Sequence, residues 1–480
     1  MRVMRRAHVT FLGRRPYRWA ALGLAAATGL GGVGAALSSV GPAATIATSA
    51  SSIPLLEVEN ATPFQAPPTL AVCKKLGFSC YNPLELETAY RANLLYREGI
   101  TGTGVTIAIV DSYGSPDIRQ DLAVFDQAYH LPAPPEFTII QPDGPVGTNA
   151  GWATETTLDV EAAHTMAPGA NILLVETPVA ETEGTVGFPQ IVAAENYVIE
   201  HHLADVISQS FAATEQTFKT AQSLLALRSA YINAFKAHIS VLGSAGDDGA
   251  TSQEDNGSLY PYRVVNWPAS DPLVTGLGGT QLFLNQSGAA YRAPRAWSGS
   301  GGGRSVIFNR PSYQVVPAAI SKVVGTQRGV PDISMSADPN GGFIYYMTFP
   351  HMKGGWGVVG GTSEASPLFA GVVALADQVA GHPLGLLNPA LYRLAFEHAP
   401  GIVPVTSGNN TATFTENGQT ITVRGFYAHA GYSLVNGVGT VNAYYLVPEL
   451  ARSTPPSQMP GPATVPALPS GALPAPVPER

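Results

Sequence analysis

Short β-rich runs alternate with helix-like runs through most of this 480-residue chain, and that alternation limits the fold more than any other feature. Gly104-Val-Thr-Ile-Ala-Ile-Val110, Asn171-Ile-Leu-Leu-Val175, Asp205-Val-Ile-Ser208 and His238-Ile-Ser-Val-Leu242 read as strands. The stretches 155–166, 188–202 and 219–237, and the one after Ser363, read as helices. Strands separated by helices pair in parallel, with helices on both faces of the sheet. The class is α/β. Ligands of such sheets bind outside the carboxyl ends of the strands, where Asp111, Ser208 to Ser210, Asp247 and Ser363 fall.

Both ends of the chain differ from this middle. Arg2, Arg5, Arg6, Arg14, Arg15 and Arg18 precede an uncharged Ala/Leu/Gly run from Trp19 to about Val40, and small residues follow. Residues 1–47 therefore read as a secretory signal peptide. An uncleaved membrane anchor is the competing reading, which the many glycines weaken. Residues 48–70 read as a Ser/Thr/Ala/Pro spacer, 71–450 as one globular domain, and 451–480 as a Pro-rich, disordered tail. Cys73 and Cys80 have no histidine near enough to complete a zinc site, so a structural disulfide is expected.

Charge narrows the partners. Six of the 26 Lys+Arg lie in the leader, leaving 20 against 34 Asp+Glu and a net charge of −14 without it. Nucleic acid and anionic membranes are poor partners for such a surface. No stable membrane partner is expected unless the leader stays uncleaved.

Four side chains carry the candidate chemistry. Gly361-Thr-Ser-Glu-Ala-Ser-Pro367 stands between a β-rich stretch and the apolar run Leu368 to Ala376, which puts Ser363 in the first turn of a buried helix. There a serine hydroxyl meets a helix N-terminus that favours developing negative charge. An N-capping serine is the plain alternative. Glu155 and Asp159 are four apart, which stacks them on one helix face. A solvated acidic first turn is the alternative there, opposed by the apolar Leu158, Ala162 and Met166 on the neighbouring face. Asp247, in Gly243-Ser-Ala-Gly-Asp-Asp-Gly249, follows a strand between glycines, and Asp248 beside it is expected to face solvent.

Taken together these segments resemble the sedolisin family of serine-carboxyl peptidases. The resemblance extends to Thr103-Gly-Val-Thr-Ile-Ala-Ile-Val-Asp-Ser-Tyr113, Met166-Ala-Pro-Gly-Ala170, Trp267-Pro-Ala-Ser-Asp-Pro272, Gly278-Gly-Thr280, Gly301-Gly-Gly-Arg-Ser305 and Arg328-Gly-Val-Pro-Asp332. It implies a subtilisin-like three-layer sandwich around a mostly parallel sheet, cleavage of protein or peptide substrates in acid, and a long pro-domain where this chain offers only the spacer. It also implies the roles. Ser363 is the nucleophile, Glu155 the general base, Asp159 its orienting partner, and Asp247 the donor to the oxyanion. An unperturbed carboxylate base working near ~4 fits an acid enzyme.

Two alternatives stay open. Asp111, His164 and Ser363 occur in the chain order of an ordinary subtilisin triad, although His164 lacks that family's His-Gly-Thr-His setting and Asp247 stands where Asn is expected. The other is a catalytically inactive secreted binding protein on the same scaffold. No cofactor is expected. The calcium site that relatives build from two loop carboxylates is expected to be lost, because Pro404 and Ser433 stand in their places.

Overall fold

The structure, a computed structural model, describes residues 57–58, 62–315, 318–453, 455, 457–458 and 460. The leader, the first part of the spacer and most of the Pro-rich tail lie outside the described residues.

Eight strands build the central sheet: β1 (Thr106–Ser112), β2 (Phe137–Ile140), β3 (Asn171–Thr177), β4 (Val206–Gln209), β5 (Ser240–Ser244), β6 (Thr275–Gln281), β7 (Arg295–Ala296) and β8 (Ile333–Ser336). Across the sheet they run β7-β6-β5-β4-β1-β3-β2, with β8 pairing β6. Every pairing is parallel except β6 with β7. Four helices matter most: α1 (Ala150–Met166), α2 (Phe188–Glu200), α3 (Ser229–Ala237) and α4 (Thr362–Ala380).

The period-two pattern of the strands separates two cores. Ile107 and Ile109 of β1, Ile172 and Leu174 of β3, and Leu242 of β5 face α1 and α4, packing with Leu158, Met166, Leu368 and Val372. Their neighbours Ala108, Val110, Leu173, Val175 and Val241 point the other way, onto Phe188 and Ile191 of α2 and Tyr231 of α3. Each large aliphatic side chain so buried contributes about 1.5–3 kcal/mol. A strand that must be apolar on both faces reads as a continuous hydrophobic run, which is what the sequence shows. The result is the expected three-layer α/β sandwich.

Element boundaries differ from the sequence expectation where local bonds intervene. α1 begins five residues earlier than predicted because the Asn149 side chain caps it, accepting the Trp152 N–H at 3.1 Å. The predicted helix 219–237 is broken in two. Thr220 and Ser223 cap a short piece, Ala221–Leu225, and Arg228 then turns to pair with Asp271 at 2.5 and 2.8 Å. His238, expected to open a strand, instead closes α3 in the left-handed conformation (φ 58°) and the strand begins at Ser240.

A smaller sheet leads to the serine. Its long strands are β9 (Gly342–Met347) and β10 (Gly355–Gly360), which pair antiparallel. Part of the stretch read as a spacer is folded against them: Glu57 and Val58 pair with Gly360 and Val359, and Phe64 bridges Trp356. Otherwise that rim of β10 would present bare backbone donors and acceptors. On the other side Cys80–Tyr81 pairs with β9, and Cys80 is disulfide-bonded to Cys73 as expected.

Candidate active site

β10 ends at Gly360, and the chain turns into α4 through Gly361, whose φ of 129° and ψ of 164° suit glycine. Ser363 is the second residue of α4, not its cap. Pro367 has no N–H to give the Ser363 carbonyl, so the first turn lacks one helical bond. The Ser210 hydroxyl, just beyond β4, donates to that carbonyl at 3.4 Å. Two further serines fasten the same turn to the sheet. Ser244 at the end of β5 donates to the Thr362 carbonyl at 2.9 Å, and Ser208 of β4 bonds Ser366 at 2.9 Å. Three serines at the ends of two strands thus hold the nucleophile's turn in place.

Glu155 and Asp159 face this turn from α1, and both are fully buried with Ser363. Asp111, at the carboxyl end of β1, joins them and is buried too. None of the three carboxyl groups has a partner at full hydrogen-bond geometry. Burial, first of all, pushes Glu155 well above the ordinary carboxylate range. The charges of Asp111, Asp247 and Glu181 add to this, and the neighbouring Ser363 hydroxyl opposes it. Asp159 is raised well above its ordinary value by burial, then by Asp111 and Glu155, with Ser210 opposing. Asp111 is pushed up to about 7 by burial and by Glu176, against a Thr156 hydroxyl. Three such groups buried together do not all ionise at once, so the protonation of each depends on the others. This corrects one sequence argument: Glu155 does not keep an unperturbed acidity.

Asp247 lies in the turn after β5 and is the one of the four candidate residues that reaches solvent. Its Oδ1 accepts two hydrogen bonds from Thr362, from the N–H at 2.7 Å and from the hydroxyl at 2.8 Å. The Thr362 hydroxyl in turn accepts the Gly246 N–H at 3.0 Å. Gly246 has φ 109°, and a Cβ there would come within 2.2 Å of Asn266 Nδ2. Asp248, expected to face solvent, is only partly exposed, and burial pushes it up to about 6.

The structure brings Ser363, Glu155, Asp159 and Asp247 to one end of the sheet, and it adds Asp111, Ser210 and Thr362 to them. Chain position placed Asp111 and Ser210 at strand ends, but nothing in the sequence showed the carboxyl cluster that Asp111 completes. Thr362 was visible only as a motif letter. His164 is not part of the site. It is buried on α1 with Nε2 2.8 Å from the Pro132 carbonyl and 3.2 Å from Asp126, facing the helix Ile118–Tyr129 and the chain after it.

The stretches around Pro404 and Ser433, where the sequence resemblance implies a lost calcium site, are packed through Val405, Ala428 and Val435, with Phe426 against them. Ser433 is buried and its hydroxyl donates to Asn436 at 2.7 Å, while Pro404 is exposed. Tyr432 packs on Tyr392, with ring centroids 5.6 Å apart. Among the described residues no group of three or more His, Cys, Asp or Glu side chains is placed to hold a metal ion. Among them, too, no helix is long and apolar enough to cross a membrane.

The subtilase family model matches residues 102–393. Kumamolisin from Bacillus sp. (strain MN-32) is 33% identical over 345 residues, which cover 69% of this chain and 58% of kumamolisin. Sedolisin from Pseudomonas sp. (strain 101) is 30% identical over 347 residues, covering 69% and 56%. A solved structure of Pseudomonas sedolisin, a serine-carboxyl proteinase complexed with two molecules of pseudo-iodotyrostatin, superposes with a TM-score of 0.65 at 26% identity. That match covers 77% of this chain and 97% of the solved one. The chain therefore belongs to the subtilase family, in its sedolisin group of serine-carboxyl peptidases. It spans a little over half the length of the curated relatives it matches.

Proposed function

We propose that this chain is an exported serine peptidase that cleaves protein or peptide substrates in acid, with Ser363 as nucleophile and a shared carboxyl cluster as its base. The observation that carries the reading is the convergence of Ser363, at a helix N-terminus, with the buried Glu155, Asp159 and Asp111 on one side and Asp247 on the other.

The Ser363 oxygen attacks the scissile carbonyl while its proton passes to Glu155. Asp159 and Asp111 share protons with Glu155, so the cluster takes up this proton without carrying several negative charges at once. The carbonyl oxygen becomes an oxyanion, stabilised by a proton-bearing Asp247 and by the N-terminal end of α4. When the intermediate collapses, the C–N bond breaks and Glu155 returns the proton to the leaving amine. Water then attacks the acyl-enzyme, giving its proton to Glu155, and Ser363 recovers a proton as the acid product leaves. Acid favours an Asp247 able to donate, while the shared cluster must keep one carboxylate unprotonated to accept the Ser363 proton.

His164 does not fit the alternative triad, because its Nε2 is engaged by Pro132 and Asp126. Export rests on the leader 1–47, and independence from calcium rests on Pro404 and Ser433, which supply no carboxylate. The direct test is active-site titration in acid with an acylating peptide reagent, read by intact mass. One acyl group per chain on Ser363, absent in Ser363→Ala, is the expected result. A parent that neither acylates nor hydrolyses denatured protein would leave the scaffold a binding protein.

A further inference from the structure

Thr362 is the residue of this site whose bonds are not explained by holding the helix alone. Its backbone N–H and its hydroxyl donate to the same oxygen of Asp247, at 2.7 and 2.8 Å. Its hydroxyl also accepts the Gly246 N–H at 3.0 Å, and its carbonyl accepts the Ser244 hydroxyl at 2.9 Å. Thr362 thus clasps the turn 244–247 at four points. Two of those points bear on one carboxylate oxygen.

We propose that Thr362 is a positioning residue that selects which oxygen of Asp247 carries the proton, and so aims the oxyanion donor. The inference rests on the reading of Asp247 as that donor. A backbone N–H cannot turn away. With such a donor aimed at Oδ1, a proton on that oxygen would meet another hydrogen head-on. The Thr362 hydroxyl is oriented in the same sense, because a lone pair of its oxygen is taken by the Gly246 N–H and its own hydrogen is directed to Oδ1. Oδ1 is therefore the accepting oxygen, and the acidic proton resides on Oδ2. A carboxylic acid free to place its proton on either oxygen would spend part of its time with the donor turned from the substrate. The clasp removes that alternative before substrate arrives, which is how a preorganised donor gains its effect. Thr362 touches neither the substrate nor the reacting atoms in this scheme. It acts through Asp247.

The experiment compares kcat and KM in acid, on one peptide substrate, for the parent, Thr362→Val, Thr362→Ser, Asp247→Ala and the Thr362→Val/Asp247→Ala pair. Thr362→Val keeps the backbone donor and loses the hydroxyl, so kcat should fall about tenfold while KM stays within about twofold, the worth of one oriented hydrogen bond. Thr362→Ser, which keeps the hydroxyl, should restore kcat to within about twofold of the parent. In the Asp247→Ala background the valine should cost nothing further, because the group it positions is gone. Thr362→Ala gives the same reading where valine disturbs folding, checked by thermal melting. A parental kcat in Thr362→Val, or the same loss with and without Asp247, would overturn the proposal. A parental kcat in Asp247→Ala would instead overturn the oxyanion role beneath it, and that arm reads independently of the Thr362 variants.

Discussion

Replacing Glu195 by glutamine should stabilise this protein at neutral pH and leave its stability in acid nearly unchanged. Glu195 lies on α2, is 1% exposed, and has no hydrogen-bond partner for either carboxylate oxygen. Burial pushes it from an ordinary 4.5 up to about 8. The folded state thus holds this proton far more tightly than the unfolded chain does. The sign follows from linkage: its stabilising contribution is complete below about 4.5 and is lost as pH rises through about 8. At about 1.4 kcal/mol per pH unit, that interval sets a ceiling of about 5 kcal/mol, which local relaxation and water entry reduce. Glutamine keeps the volume and removes the titration. Thermal or urea unfolding of parent and variant at pH 4, 6 and 8 should show a difference that grows with pH to a few kcal/mol. A difference that stays constant over that range would refute the claim that this carboxyl is buried as a neutral acid.

Three further outcomes are expected. Asp332→Ala should destabilise the fold by about 3–5 kcal/mol in denaturant unfolding, because it strands the buried Arg328 and orphans the Gly276 N–H and Tyr392 hydroxyl that Asp332 accepts at 2.8 and 2.9 Å. Gly246→Ala should lower kcat more than tenfold with a smaller loss of stability, since the added Cβ meets Asn266 and shifts the turn that carries Asp247. Thermal unfolding with and without a calcium chelator should superimpose, whereas a chelator-induced drop of several degrees or stoichiometric calcium in the purified protein would contradict the absence of carboxylates at Pro404 and Ser433.

Local pattern carried much of the architecture. β1, β3, β4 and β5 are buried on both faces, so their apolar runs stand out in the sequence, and the glycines at 243–249 and 360–361 mark the turns that the site requires. What local pattern does not contain is the environment that distant segments create. The acidity of Glu155 depends on Asp111, 44 positions earlier in the chain, and on burial by α4. The break at 226–228 depends on Asp271, and the docking of residues 57–58 depends on the rim of β10. Asp248 looked solvated because its neighbours are small and flexible, yet burial by the surrounding fold pushes it up to about 6. Which side chains could converge was legible in part, and their protonation was not.

The most direct test of the carboxyl mechanism is the pH dependence of kcat/KM for the parent, Glu155→Gln and His164→Ala on a single peptide substrate. The account predicts a maximum in acid for the parent, a loss of several orders of magnitude at every pH in Glu155→Gln, and the parental profile in His164→Ala once its stability is allowed for. A maximum at neutral or alkaline pH that collapses in His164→Ala and survives in Glu155→Gln would contradict it.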